Sequence, residues 1–167
     1  MSDDELIIVA NRLPVEAVTD SDGNVSWNVS PGGLVAAVEP SLKGRQGVWI
    51  GWNGHYQDPS EPSMPPIPET AEGRDYRIVE VPLDRADVEQ YYDGFSNSAL
   101  WPLYHDAIAT PTYHRHQFDA YRRVNMLFAQ AAARAAAPGA TVWIHDYQLQ
   151  LVPAMLRSLR PDLRIGF

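Results

Sequence analysis

The chain has 167 residues, 13 Lys and Arg against 21 Asp and Glu, and a formal net charge of −8 with its five His neutral. With 45% apolar and 20% charged residues the composition is globular, and the acidic balance disfavours nucleic acid and anionic membrane surfaces, both of which need a basic face. No apolar run reaches the roughly 18 residues of a membrane span. The absence of Cys excludes disulfides, thiolate metal sites and a Cys nucleophile, and suits a cytoplasmic enzyme. The opening Met-Ser-Asp-Asp-Glu-Leu is acidic where a secretory leader is basic and then apolar.

In chain order, Leu6–Ala10 is a continuous apolar run and reads as a strand buried on both faces, as in parallel sheets. Asn11-Arg12-Leu13-Pro14 ends it. Ser21-Asp22-Gly23-Asn24 is a turn signal, so a β-hairpin is expected near 15–30. Leu34, Val35, Val38 and Leu42 recur at helical spacing, and Gly47–Trp52 is a second buried strand. The stretch 55–73 is rich in Pro and acids and reads as a surface loop or lid. Tyr76–Val81 alternates as a strand does. Asp84 can cap a helix starting near Arg85, which gives way to the aromatic-rich run Tyr91–His105. Phe118, Tyr121, Val124, Leu127, Phe128 and Ala131 mark one face of a long helix that Pro138-Gly139 stops. Thr141–Ile144 is a strand. Leu149, Val152, Leu156 and Leu159 give a short helix, and Leu163–Phe167 starts a further, core-like strand. Short buried strands alternating with helices predict an α/β, Rossmann-like, mostly parallel sheet. An apolar strand at the last residues suggests a chain that is cut or continues.

Ligands of open α/β sheets gather at the carboxyl ends of the strands. Arg12, the Trp49–Trp52 segment and His145-Asp146 all fall there. Each has an ordinary reading: an ion-paired Arg, packed indoles, a helix-capping Asp. Together they offer a cation for phosphate, aromatic faces for a sugar ring and a carboxylate for hydroxyls. Gly32 and Gly33 precede a helix and either cradle a phosphate or form a plain tight turn. There is no Walker A motif, no G-x-G-x-x-G after the first strand and no G-x-S-x-G. His105, His114 and His116 lack a carboxylate at ligand spacing, so no metal site is expected.

Taken in order, Val9–Val15, Ser30–Leu34, Trp49–Trp52, Tyr91–His105, Val124-Asn125 with Phe128-Ala129, and Val142–Tyr147 resemble the N-terminal part of the trehalose-6-phosphate synthase family, retaining glycosyltransferases of the two-lobed GT-B fold. The segments Ala137–Trp143 and Asp146–Pro153 are similar to actinobacterial members. The resemblance implies an incomplete N-terminal, acceptor-side lobe over residues 1–167, with the C-terminal donor lobe absent. The implied activity is transfer of glucose from UDP-glucose, or another NDP-glucose, to glucose-6-phosphate. The product is α,α-trehalose 6-phosphate, formed with retention and without metal or other cofactor.

By the same resemblance Arg12 would bind the acceptor phosphate, with Tyr92 and Trp101 fixing phosphate and sugar. Trp52 would wall the acceptor pocket, and Trp49 would pack. Asp146 would bond acceptor hydroxyls, including the attacking one, as the catalytic residue of this part. Gly32 and Gly33 would face the donor phosphates. A lone lobe is expected to be inactive, and its exposed final strand edge should favour homo-oligomers. Two other readings fit the same residues. One is a pseudo-glycosyltransferase forming validoxylamine 7′-phosphate. The other is a non-catalytic sugar-phosphate-binding regulatory module.

Overall fold

A computed structural model describes residues 5–45, 47–56, 64–70, 73–105 and 109–167. Its centre is a five-stranded parallel sheet. The strands are β1 (Leu6–Arg12), β4 (Gly47–Trp52), β5 (Arg77–Glu80), β6 (Thr141–Ile144) and β7 (Arg164–Gly166), in the order β5-β4-β1-β6-β7. β2 (Val15–Thr19) and β3 (Val25–Val29) pair antiparallel as a separate hairpin.

β1 is buried from Leu6 to Asn11, as a central strand covered on both faces must be. Its side chains divide by the period of two. Ile7 and Val9 join the core under the long helices, while Leu6, Ile8 and Ala10 join a second core with Val35, Val38, Leu42 and Trp49. That second layer rests on α1 (Gly33–Val38) and the following 3₁₀ turn (Glu39–Leu42).

The first layer holds α2 (Arg85–Asp87), a π-helix over Val88–Leu100, α3 (Trp101–Tyr104), α4 (Arg115–Ala135) and α5 (Val152–Leu159). Asp84 starts it by accepting the Asp87 N–H at 2.7 Å. α4 buries Tyr121, Val124, Phe128 and Ala132 against the sheet, and the chain leaves the helix before Pro138-Gly139. Phe118, expected on that face, is 38% exposed at the helix start.

One segment to which the spacing assigns no element gains one, and one expectation is corrected. The run Tyr91–His105 is mostly π-helix, a wide helix found often at functional sites. The strand at the end of the chain is no core strand. β7 pairs only with β6 at the sheet edge, with Arg164 and Gly166 exposed. Of the Pro-rich stretch 55–73, residues 57–63 and 71–72 lie outside the described residues.

The topology places the site. From β1 the chain moves outward through β4 to β5, then returns to β6 on the other side of β1 and moves outward to β7. The direction of winding reverses between β1 and β6. At such a point the loops leaving two neighbouring strands diverge and open a crevice at their carboxyl ends.

Candidate sugar-phosphate site

A cavity of about 300 Å³ opens at that crevice. Arg12, Gly32, Gly33, Tyr92 and Asp146 line it, joined by Asn11, Trp49 and Gln148. Residues far apart in sequence thus meet because β1 and β6 end there, α1 starts there and the first half of the π-helix passes beside them.

Arg12 follows a register shift. Val9 pairs with Ile50 but Arg12 with Trp52, so β1 carries one extra residue and bulges. Gly51 permits this, since a Cβ there would lie 2.6–2.7 Å from the backbone of Arg12 and Leu13. The Arg12 guanidinium lies over the Trp52 ring, 5.1 Å from its centroid, and against Gly54. Gly54 has φ +90°, and a side chain there would collide with that guanidinium. Among the described residues no carboxylate pairs with Arg12. It is an exposed cation held in place by an aromatic ring and, among the described residues, without an ion-pair partner.

Asp146 stands at the end of β6 with φ 76° and ψ 162°. That region belongs almost wholly to glycine, and a non-Gly residue held there stores about 1–3 kcal/mol of strain. It is the one non-Gly residue with positive φ among the described residues. Its neighbours are fixed from α4. The Tyr121 hydroxyl donates to the Tyr147 carbonyl at 2.6 Å. Asn125 donates to the Gln148 carbonyl at 3.0 Å and accepts from the Leu151 N–H at 3.1 Å. One Asp146 oxygen caps the next turn, accepting the Tyr147 N–H at 2.8 Å. The capping role and the cavity-lining role therefore coexist in one carboxylate.

Burial and the Asp146 charge push the Tyr147 phenol up to about 12, so it stays protonated and donates to Asn97 at 2.9 Å. Burial pushes the preceding His145 below its usual range against the opposing pull of Asp146, which favours the neutral ring.

The remaining candidate residues divide. Tyr92 comes off the π-helix onto the cavity wall, edge-on to Trp52 at 5.6 Å between centroids. Trp52 itself is 2% exposed and supports Arg12 and Tyr92 from behind. Trp101 is 44% exposed, stacked on His105 and 5.6 Å from the Tyr147 ring, beside the cavity and outside its lining. Trp49 is fully buried and donates its indole N–H to the Arg12 carbonyl at 3.0 Å, while also forming part of the wall. At Gly33 a Cβ would meet nothing within 4 Å. Among the described residues nothing therefore demands glycine there, and Gly33 lines the cavity.

Asn11, Gln148 and Gly54 escaped the sequence reading. Asn11 and Gln148 flank Arg12 and Asp146 at the same strand ends, which was the signal available.

The Rossmann-like lobe, with its cavity at the winding reversal, has the fold of the N-terminal part of GT-B trehalose-phosphate synthases. The family profile described as glycosyltransferase family 20 matches residues 4–167, and the chain belongs to that family. It is 56% identical over 163 residues to a trehalose-6-phosphate synthase of Mycolicibacterium gilvum, covering 98% of this chain and 32% of that protein. It superposes with a TM-score of 0.75, at 33% identity, on a UDP-forming α,α-trehalose-phosphate synthase from Burkholderia xenovorans in complex with glucose-6-phosphate. It also superposes with a TM-score of 0.76, at 29% identity, on an E. coli structure bound with UDP-2-fluoro glucose. Each superposition covers 98% of this chain and 32% of the other. The chain thus spans about a third of the length of the relatives it matches.

Proposed function

We propose that this chain is the acceptor side of a retaining glycosyltransferase that moves glucose from UDP-glucose to glucose-6-phosphate, giving α,α-trehalose 6-phosphate. The observation that carries the reading is the meeting of Arg12, unpaired among the described residues, and strained Asp146 on one cavity of about 300 Å³ at the β1/β6 reversal. The Arg12 guanidinium takes the acceptor phosphate through charge-assisted hydrogen bonds. Tyr92 closes the phosphate end, with Trp52 behind it and Trp101 at the rim.

Asp146 accepts hydrogen bonds from acceptor hydroxyls, including the attacking anomeric hydroxyl, and so sets its direction. In this reading the bond from the donor C1 to the diphosphate breaks as the acceptor oxygen bonds to C1 from the same face. The hydroxyl proton passes to the departing phosphate oxygen. No enzyme nucleophile is used, and the rate comes from positioning and from charge stabilisation of the diphosphate. Gly33, with open space where a Cβ would stand, leaves room for the donor phosphates beside Gly32. The remaining donor contacts belong to the two thirds of the family length outside this chain.

The reaction as proposed uses no metal or prosthetic group, takes place in the cytoplasm, and has the two sugar phosphates as its partners. Among the described residues no helix is long and apolar enough to cross a membrane.

The test supplies both substrates and follows UDP release, with the anomeric configuration of the product read by NMR. The 167-residue chain alone should release no UDP, and a protein carrying the remaining two thirds should form the α,α-linked product. UDP release by the chain alone contradicts the division of labour. A longer protein that forms no α,α-trehalose 6-phosphate contradicts the reaction.

A further inference from the structure

The segment Trp49-Ile50-Gly51-Trp52 closes β4 beside the bulge that carries Arg12. Strand side chains alternate, so Trp49 and Gly51 share one face of the sheet and Trp52 takes the other. Trp52 supports the guanidinium on its ring, and Gly51 leaves the space that the Arg12 backbone crosses. The one polar atom of the Trp49 side chain, its indole N–H, donates to the Arg12 carbonyl at 3.0 Å. The ring is fully buried, so without that acceptor the N–H would be desolvated for nothing. Its orientation is set from behind. The Tyr76 ring lies 6.2 Å from it between centroids, and the Tyr76 hydroxyl donates to Glu39 at 2.9 Å.

At a bulge the ladder is locally disrupted, so the direction in which the strand leaves it depends on what holds the backbone there. Two bonds from β4 do so. The Leu13 N–H donates to the Trp52 carbonyl at 2.8 Å, and the Arg12 carbonyl accepts from Trp49. We infer that Trp49 is a positioning residue for phosphate binding: through the Arg12 carbonyl its indole N–H fixes the bulge and so aims the guanidinium at the cavity. The inference rests on the reading of Arg12 as the phosphate ligand, and it gives the buried indole a role beyond packing.

The test titrates the chain calorimetrically with glucose-6-phosphate and with glucose. Trp49→Phe keeps a buried ring and removes the N–H. Affinity for glucose-6-phosphate should fall about 5- to 10-fold, the value of one hydrogen bond, while affinity for glucose stays unchanged. In an Arg12→Ala background the same change should have no further effect, since no guanidinium remains to be aimed. Leu42→Ala opens the same core at the other end of β4, beside Gly47. It should lower the melting temperature and leave both affinities level. If Trp49→Phe does not fold, β-(3-benzothienyl)alanine at position 49 reads the same loss, because it keeps both fused rings and carries sulfur in place of the N–H.

Unchanged glucose-6-phosphate affinity on removal of the N–H, with Arg12→Ala weakened, overturns the inference and leaves the reading of Arg12 intact. A loss that extends equally to glucose, persists in the Arg12→Ala background or is matched by Leu42→Ala also overturns it, because the indole then acts through the cavity wall or the core. A parent chain that does not bind glucose-6-phosphate, or an Arg12→Ala chain that binds it as tightly as the parent, overturns the reading of Arg12 and the inference with it.

Discussion

Asp146 shows how a residue with a backbone conformation poor for folding can be kept on a cavity wall. Its φ of 76° suits glycine, yet a carboxylate stands there. Asp146→Gly should therefore stabilise the fold by about 1 kcal/mol, the strain released less the cap lost, measurable by chemical denaturation. The same change should remove the carboxylate contribution to acceptor binding. A destabilised Asp146→Gly would show that the cap outweighs the strain. His145 makes a pH prediction. Burial lowers its folded pKa, so the unfolded chain binds the proton more readily. The stability from neutral His145 is fully present above the unfolded value of about 6.5 and is lost as pH falls below it. Melting temperature should fall between pH 7 and pH 5.5, and His145→Gln should flatten that slope. An identical slope would assign the loss to other groups. The depressed carboxylates Asp20 and Asp162 lose their contribution in a separate window, below about pH 4.

At the scale of elements, the site depends on close approaches that only glycine allows. Gly51 admits the β1 bulge and Gly54 supports the Arg12 guanidinium. Gly54→Ala should cost about 1–3 kcal/mol from its positive φ and should displace Arg12, lowering phosphate affinity as Arg12→Ala does. A Gly54→Ala chain that keeps full phosphate affinity would separate Gly54 from Arg12. The strands β1 and β4 were legible in the sequence, because buried parallel strands appear as unbroken apolar runs, and β6 was legible from its short β-branched and aromatic run although Trp143 is exposed. Their carboxyl ends led to Arg12 and Asp146 without coordinates. The π-helix was not legible. Gly94, Ser96, Asn97 and Ser98 interrupt the 3.6-residue period, and the wide turn sends Tyr91 to Asn11 and its neighbour Tyr92 to the cavity. Nor could spacing tell that Trp52 stands behind the site and Trp101 beside it. Orientation off a bulge or a wide helix depends on packing partners more than 30 residues away.

For the molecule as a whole, the strand order 5-4-1-6-7 is what converts a list of strand ends into one crevice. The order was not readable from the sequence, since the same alternation of strands and helices permits other windings. The family resemblance supplied the constellation before the topology explained it. The open edge of β7, with Trp143 and Phe167 exposed nearby, should make the chain associate at high concentration. Sedimentation velocity over a concentration series should show a growing fraction of dimer. A single monomeric species throughout would mean the edge is already protected.

The central claim is that the cavity between the ends of β1 and β6 binds a sugar phosphate with Arg12 on the phosphate. Calorimetric titration of the chain and its Arg12→Ala variant with glucose-6-phosphate and with glucose tests it most directly. Glucose-6-phosphate should bind more tightly than glucose, and Arg12→Ala should weaken it about 10- to 100-fold while leaving glucose affinity nearly unchanged. Equal losses for both ligands, or no advantage of glucose-6-phosphate in the parent chain, would contradict it.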